Sequence, residues 1–137
     1  MTKLVLSIVV TWMVVNILKP IIKSIRAGKF EKRFLLEEGG MPSGHTSWVA
    51  PLSTSLYLET GFSYLFVISV ILTLNVVYDA VHVRPKLGKI ARAVNKLNNG
   101  KEGTVRLEET MGHSPAQVIV SLVLSVLIPL VLYEFSP

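Results

Sequence analysis

The 137-residue chain contains no cysteine. Disulfides and thiolate metal sites are therefore excluded. Acidic residues are scarce, 9 Asp and Glu against 14 Lys and Arg. Aromatic residues make up only 8% of the chain. They form no aromatic–basic recognition pattern, so the positive charge does not read as a nucleic-acid surface. There is no internal repeat and no low-complexity tract. The first apolar run also lacks a small-x-small cleavage site. Lys19, Pro20 and Lys23 follow it instead, so it reads as a retained helix rather than a signal peptide.

What the chain has in abundance is apolar length. Half of it is hydrophobic, and its mean hydropathy is +0.53. Leu4 to Leu18 carries no charge, Phe62 to Val81 carries only Asp79, and Ala116 to Tyr133 carries none. Each run approaches the ~20 residues that cross a bilayer. A fourth stretch, Thr46 to Leu58, is shorter and carries Ser47, Ser53, Thr54 and Ser55. Small and hydroxylated residues suit a helix packed inside a bundle, and Pro51 falls in its first turns, where a missing N–H costs least. The expectation is an all-α, small polytopic membrane helix bundle with about four transmembrane or near-spanning helices in one membrane domain. The helices are expected near residues 4–25, 44–59, 62–82 and 115–135, and basic loops at 26–43 and 83–114.

The charges orient it. All Lys and Arg except Lys3 lie either in residues 19–45 or in residues 82–115. If Thr46–Leu58 and the Phe62 run form a hairpin at Thr60-Gly61, both basic segments fall on one side. The positive-inside rule makes that side cytoplasmic and leaves the termini outside. A bland account of these cations is topology plus contact with anionic lipid headgroups.

Pro42-Ser43-Gly44-His45 stands where such a loop enters a helix. The first turn of a helix has unpaired N–H groups and a positive dipole end, which together make an anion site. Gly44 admits a ligand close to the backbone. Ser43 can cap the helix or donate to an oxyanion, and His45 can move a proton near neutral pH. The plain alternative is a capped helix with a histidine in the headgroup region. A second stretch shifts the balance: Gly112-His113-Ser114-Pro115-Ala116-Gln117-Val118 opens another apolar helix on the same side. Two histidines at matching helix starts, amid cations, suit phosphoryl transfer. One imidazole can attack phosphorus and the other protonate the leaving oxygen, while Lys and Arg offset charge on the equatorial oxygens.

These motifs resemble the type-2 phosphatidic acid phosphatase and vanadium haloperoxidase superfamily, and more closely its short divergent membrane branch. The residues that carry the resemblance are Gly39-Gly40-Met41-Pro42-Ser43-Gly44-His45, Tyr78-Asp79-Ala80-Val81-His82-Val83-Arg84, and the Gly112–Val118 stretch, in order and over nearly the whole chain. The resemblance implies a lipid phosphate phosphatase that hydrolyses a phosphomonoester or pyrophosphate through a phosphohistidine. Candidate substrates are phosphatidylglycerol phosphate, phosphatidic acid and isoprenyl pyrophosphate. It implies His113 as nucleophile and His45 as acid for the leaving group, with Lys19, Arg26, Ser43 and the Gly44 amide as phosphate ligands. It implies no cofactor and no metal. Membrane lipids and the lipid phosphate are the implied partners, and the small buried surface of four helices is compatible with a homo-oligomer.

The departures are specific. Ala27 replaces the proline that follows Arg26 in the pattern. Lys19 and Arg26 keep their seven-residue spacing, about two helical turns, so both can share a face; two interfacial snorkelling side chains would satisfy the same spacing. The arginine of the third motif is either Arg84 or Arg106, with Arg84 favoured because it ends the Tyr-Asp-Ala element. His82 stands where a small residue is usual and receives no role. Gln117 replaces the acid four residues after the nucleophile. An amide can orient His113 but adds no full negative charge, and Asp79 could supply the carboxylate instead. The rival reading is a non-enzymatic lipid-binding or scaffold protein that retains the fold.

Overall fold

The computed structural model describes residues 2–35, 40–98 and 105–135. Gly39 of the first motif and Lys101 of the second basic segment lie outside the described residues. The fold is an all-α membrane helix bundle. Its helices are α1 (Thr2–Ala27), α2 (Thr46–Thr60), α3 (Tyr64–Tyr78), α4 (Arg84–Leu97) and α5 (Pro115–Phe135). A 3₁₀ turn, Lys32–Leu35, follows α1, and a π-helical turn, Asp79–Val83, joins α3 to α4. Three helical stretches are long and apolar enough to cross a membrane: Thr2–Ala27, Tyr64–Leu97 and Pro115–Phe135.

The packing inverts that of a water-soluble core. Among the described residues, most fully buried side chains are Ser, Thr, Pro and Val, such as Ser7, Thr11, Val15, Pro51, Ser55 and Ser121. The large residues face outward, Ile17, Ile68, Leu74 and Leu127 among them. Lipid tails solvate Leu and Ile as well as another helix would, so association relies on close backbone approach and on interhelical hydrogen bonds. The hydroxyls of α2 make several of these. Ser53 pairs with Thr73 Oγ1 at 3.0 Å, and Thr54 Oγ1 donates to the Ser125 carbonyl at 3.0 Å. Such bonds stabilise by roughly 0.6 kcal/mol each. The hydroxyl-rich α2 packs against α1, α3 and α5.

Side-chain pairings fix the directions of the helices. Ser43 meets the start of α5 through Gln117 and Ser121, and Glu59 meets its end through Tyr133. α2 and α5 are therefore parallel. Trp12 packs against Trp48 with centroids 5.1 Å apart and planes tilted by 37°, and Gly44 lies against Lys19, so α1 runs antiparallel to α2. Ser53–Thr73 and Tyr57–Phe66 make α3 antiparallel to α2. The end of α1, the start of α2, the end of α3 and the start of α5 thus share one end of the bundle. Fifteen residues give α2 only about 22 Å of helix, yet it runs beside α5 from Gln117 to Tyr133.

Part of the loop expected at 83–114 is helical. Residues 84–97 are helical, continuing α3 through the π turn. The apolar run was read only to Val81 because the helix beyond it is amphipathic rather than uniformly apolar. Pro85 has no N–H to continue the α-helical ladder. One residue earlier the Arg84 N–H reaches back five residues to the Asp79 carbonyl, so the ladder is already widened where the proline interrupts it. From residue 105 to residue 112 the chain runs back along α4 as a strap. Asn95 exchanges hydrogen bonds with the Leu107 backbone in both directions, at 2.9 Å each, and also donates to Glu109 at 2.8 Å.

Candidate active site

The shared end of the bundle gathers the residues singled out by the sequence. His113 precedes the first turn of α5 and is 7% exposed. Its backbone N–H donates to the Ala80 carbonyl at 2.9 Å, which ties it to the π turn. Gly112, just before it, has φ +95° and sits against Pro85, where an added Cβ would approach the ring to 2.5 Å. A side chain fits neither that backbone nor that space.

The Gln117 side chain, one turn along α5, places Oε1 3.2 Å from His113 Nδ1. The same oxygen accepts the Ser114 N–H at 3.0 Å. A backbone donor facing that atom requires oxygen there, so Nδ1 carries the imidazole proton and Nε2 keeps its lone pair. Burial holds the His113 imidazole below its ordinary pKa; the Gln117 hydrogen bond opposes this, and the positive charges of Lys19, His45 and Arg84 push it further down. The result is an oriented ring whose charged form is disfavoured, close to Lys19, His45 and Arg84.

His45 lies across from it, half-buried, with ring centroids 6.2 Å apart and planes inclined at 57°. Both rings are within reach of one small group lying between them. Lys19, 9% exposed, comes from α1 and brings Nζ to 2.7 Å from where a Cβ at Gly44 would stand. The glycine is what lets this ammonium lie on the backbone at the start of α2.

Ser43 is fully buried. Its Oγ accepts from the Thr46 N–H at 3.5 Å and from Thr46 Oγ1 at 3.2 Å, and its carbonyl accepts the Ser121 hydroxyl at 2.8 Å. Its hydroxyl is thus turned inward to Thr46 at the entrance of α2.

Arg84 and Asp79 form an ion pair at 2.7 Å across the π turn, both half-exposed. The carboxylate that could have served His113 is thus engaged by Arg84, and Gln117 occupies Nδ1. Arg106 lies elsewhere: it is 87% exposed and reaches Glu109 at 3.9 Å, beside Arg92. Of the two candidate arginines, Arg84 is the one whose charge acts on His113. Arg26 is exposed and approaches Met41 Sδ at 4.0 Å. His82 is exposed and stacks on Tyr78 at 4.6 Å. Among the described residues no cluster of three or more His, Asp or Glu could hold a metal.

Four supporting groups escaped the sequence reading: Thr46 and Ser121 around Ser43, the Ala80 carbonyl, and Asn16, whose Oδ1 is 4.0 Å from the Cβ position of Gly44. Asn16 carried a usable signal, being the one amide in the first apolar run and three residues before Lys19, on the same helical face. Ser121 carried one too, a turn beyond Gln117. The Ala80 carbonyl carried none, since backbone groups are alike in sequence.

Three comparisons bear on this arrangement. A family model described as the Divergent PAP2 family matches residues 1–128. The uncharacterized membrane protein YuiD of Bacillus subtilis (strain 168) is 33% identical over an alignment of 137 positions that covers 88% of this chain and 87% of the relative. No solved structure matches the chain.

Proposed function

Because this integral membrane protein belongs to the Divergent PAP2 family, we propose that it is a phosphatase acting on a lipid phosphate through a phosphohistidine on His113. The observation that carries the reading is the pair of imidazoles. One has its Nδ1 committed to Gln117 and its Nε2 available, and the other lies at 6.2 Å between centroids. In the proposed reaction Nε2 attacks phosphorus and His45 gives its proton to the departing alkoxide or phosphate oxygen. Neutral His45 then takes a proton from the water that attacks phosphohistidine, which releases inorganic phosphate and restores both rings. Lys19, Arg84 and the Gly44 amide hold the phosphoryl oxygens, with Arg26 and Ser43 in outer positions. Phosphatidylglycerol phosphate, phosphatidic acid and isoprenyl pyrophosphate are the candidate substrates. The positive-inside rule assigns the site to the cytoplasmic face and both termini to the outside.

Release of inorganic phosphate from a panel of these lipids by the purified, reconstituted protein tests the reading. Activity on at least one that disappears in His113→Ala is the expected result. The second reading, a lipid-binding or scaffold protein that keeps the fold, is favoured by one observation: His113 has an amide partner while Asp79 is paired to Arg84. Vanadate separates the two. A phosphohistidine enzyme binds it as a pentacoordinate phosphorus mimic, so absence of vanadate binding together with background turnover on the whole panel leaves the scaffold.

A further inference from the structure

Outside the site, α4 and its strap form a surface that the bundle leaves uncovered. Leu87, Ile90, Val94 and Leu97 recur at intervals of three and four, one stripe of a helix. Leu87, Ile90 and Leu97 are 47%, 59% and 76% exposed. The strap runs along another side, where Gly88 and Ala91 are buried, and it adds its own exposed Val105 and Leu107. These residues follow the apolar span of α3 and precede that of α5, so they stand where the bundle leaves the bilayer. The helix carries no acid, and Lys86, Lys89 and Lys96 form no ion pair among the described residues.

We propose that α4 and the strap lie against the headgroup layer of the protein's own membrane. The apolar stripe dips to the acyl boundary, and Lys86, Lys89 and Lys96 contact anionic lipid phosphates. An exposed apolar stripe beside unpaired cations is the composition that binds in the interface plane and prefers anionic lipid. A second copy fits less well. The stripe's spacing would suit a coiled coil, but about two heptads are too few to sustain one, and a lysine-flanked, acid-free seam repels its own copy. Because Arg84 opens α4, docking of this helix also fixes where the Arg84–Asp79 pair stands. The proposal does not depend on the phosphatase reading.

The absence of cysteine makes the test direct. The full-length chain with Ile90→Cys carries a polarity-sensitive fluorophore and is placed, one chain per disc, in lipid nanodiscs. The discs are of phosphatidylcholine alone or contain about one third phosphatidylglycerol. An Arg92→Cys label, on the side of α4 away from Ile90 and outside the three lysines, serves as the water-facing control. In the anionic discs the residue-90 label should shift to the blue and be quenched by brominated lipid, and the residue-92 label should not. Loss of three lysines, each adding about fivefold to anionic binding, should return the residue-90 label to its zwitterionic behaviour, as should salt near 1 M, where screening acts within about 3 Å. A residue-90 label equally wet in both discs, or equally shielded in both, overturns the proposal. Shielding seen only when two chains share a disc overturns it in favour of self-association.

Discussion

At the residue scale the chemistry turns on what Gln117 does to His113. Burial and three neighbouring cationic groups keep His113 below its ordinary pKa. A base with a lowered pKa stays neutral as pH falls, so turnover needing a neutral nucleophile should persist into mildly acidic solution. Gln117→Glu would put a carboxylate at Nδ1 and stabilise the imidazolium, raising that pKa. The acid limb of the rate profile should therefore move to higher pH, with the maximal rate rising as charge on the phosphohistidine gains a partner. A pH–rate series on wild type and Gln117→Glu checks both. The two histidines should also differ. His113→Ala should abolish a trapped phosphoenzyme, whereas His45→Ala should slow turnover and be partly rescued by a leaving group that needs no proton. Gly44→Ala separates binding from folding. Its Cβ would meet the Lys19 ammonium at 2.7 Å, the movable end of a long side chain, so the bundle should survive. Vanadate affinity should fall on the order of tenfold, the scale of one charge-assisted hydrogen bond.

At the element scale the site depends on joints between helices. The strap, the π turn and the start of α5 meet at Gly112, which Pro85 of α4 covers. Gly112→Ala meets both a positive φ and a proline ring at 2.5 Å. It should destabilise by about 1–3 kcal/mol and displace His113 from the Ala80 carbonyl. Thermal unfolding in detergent should show a lower midpoint, and His113 ring resonances should lose their native shifts. The π turn was not foreseeable from the apolar run, which ends at Val81 whether the helix stops or widens. The start of α2 was legible, since Ser43 followed by glycine and an apolar stretch is a helix-start pattern whatever it binds.

At the scale of the whole molecule the arrangement rests on α2 passing through the bundle. It is short, but its ends pair with both ends of the α5 span, through Ser121 and Tyr133. Both basic segments then sit at one end, and the Thr60–Ser63 turn at the other. Cysteines introduced singly at Lys29 and Lys96 should react with an impermeant thiol reagent from the same side of intact cells, and one at Gly61 from the opposite side. Reaction of positions 29 and 96 from different sides would mean that α2 does not cross, and His45 and His113 could not then share a site.

The sequence by itself determined the bundle, its long spans and the clustering of the two histidine motifs. Membrane partition is read segment by segment: the free energy of placing a residue in lipid depends mainly on its own side chain, and apolar length and flanking charge are properties of a linear chain. The inward-facing hydroxyls were legible because small Ser and Thr amid Leu and Val suit helix contacts, although some, such as Thr11 and Ser69, bond a carbonyl of their own helix. The tertiary structure alone decided the pairings. Arg84 takes Asp79, Arg106 joins Glu109 and Arg92, Gln117 holds His113, and Ser43 turns inward to Thr46. Several of these residues had more than one partner within reach by spacing alone. Which partner each meets depends on a few ångströms set by how α4 leaves the π turn and how the strap returns along it, and no linear pattern carries that distance.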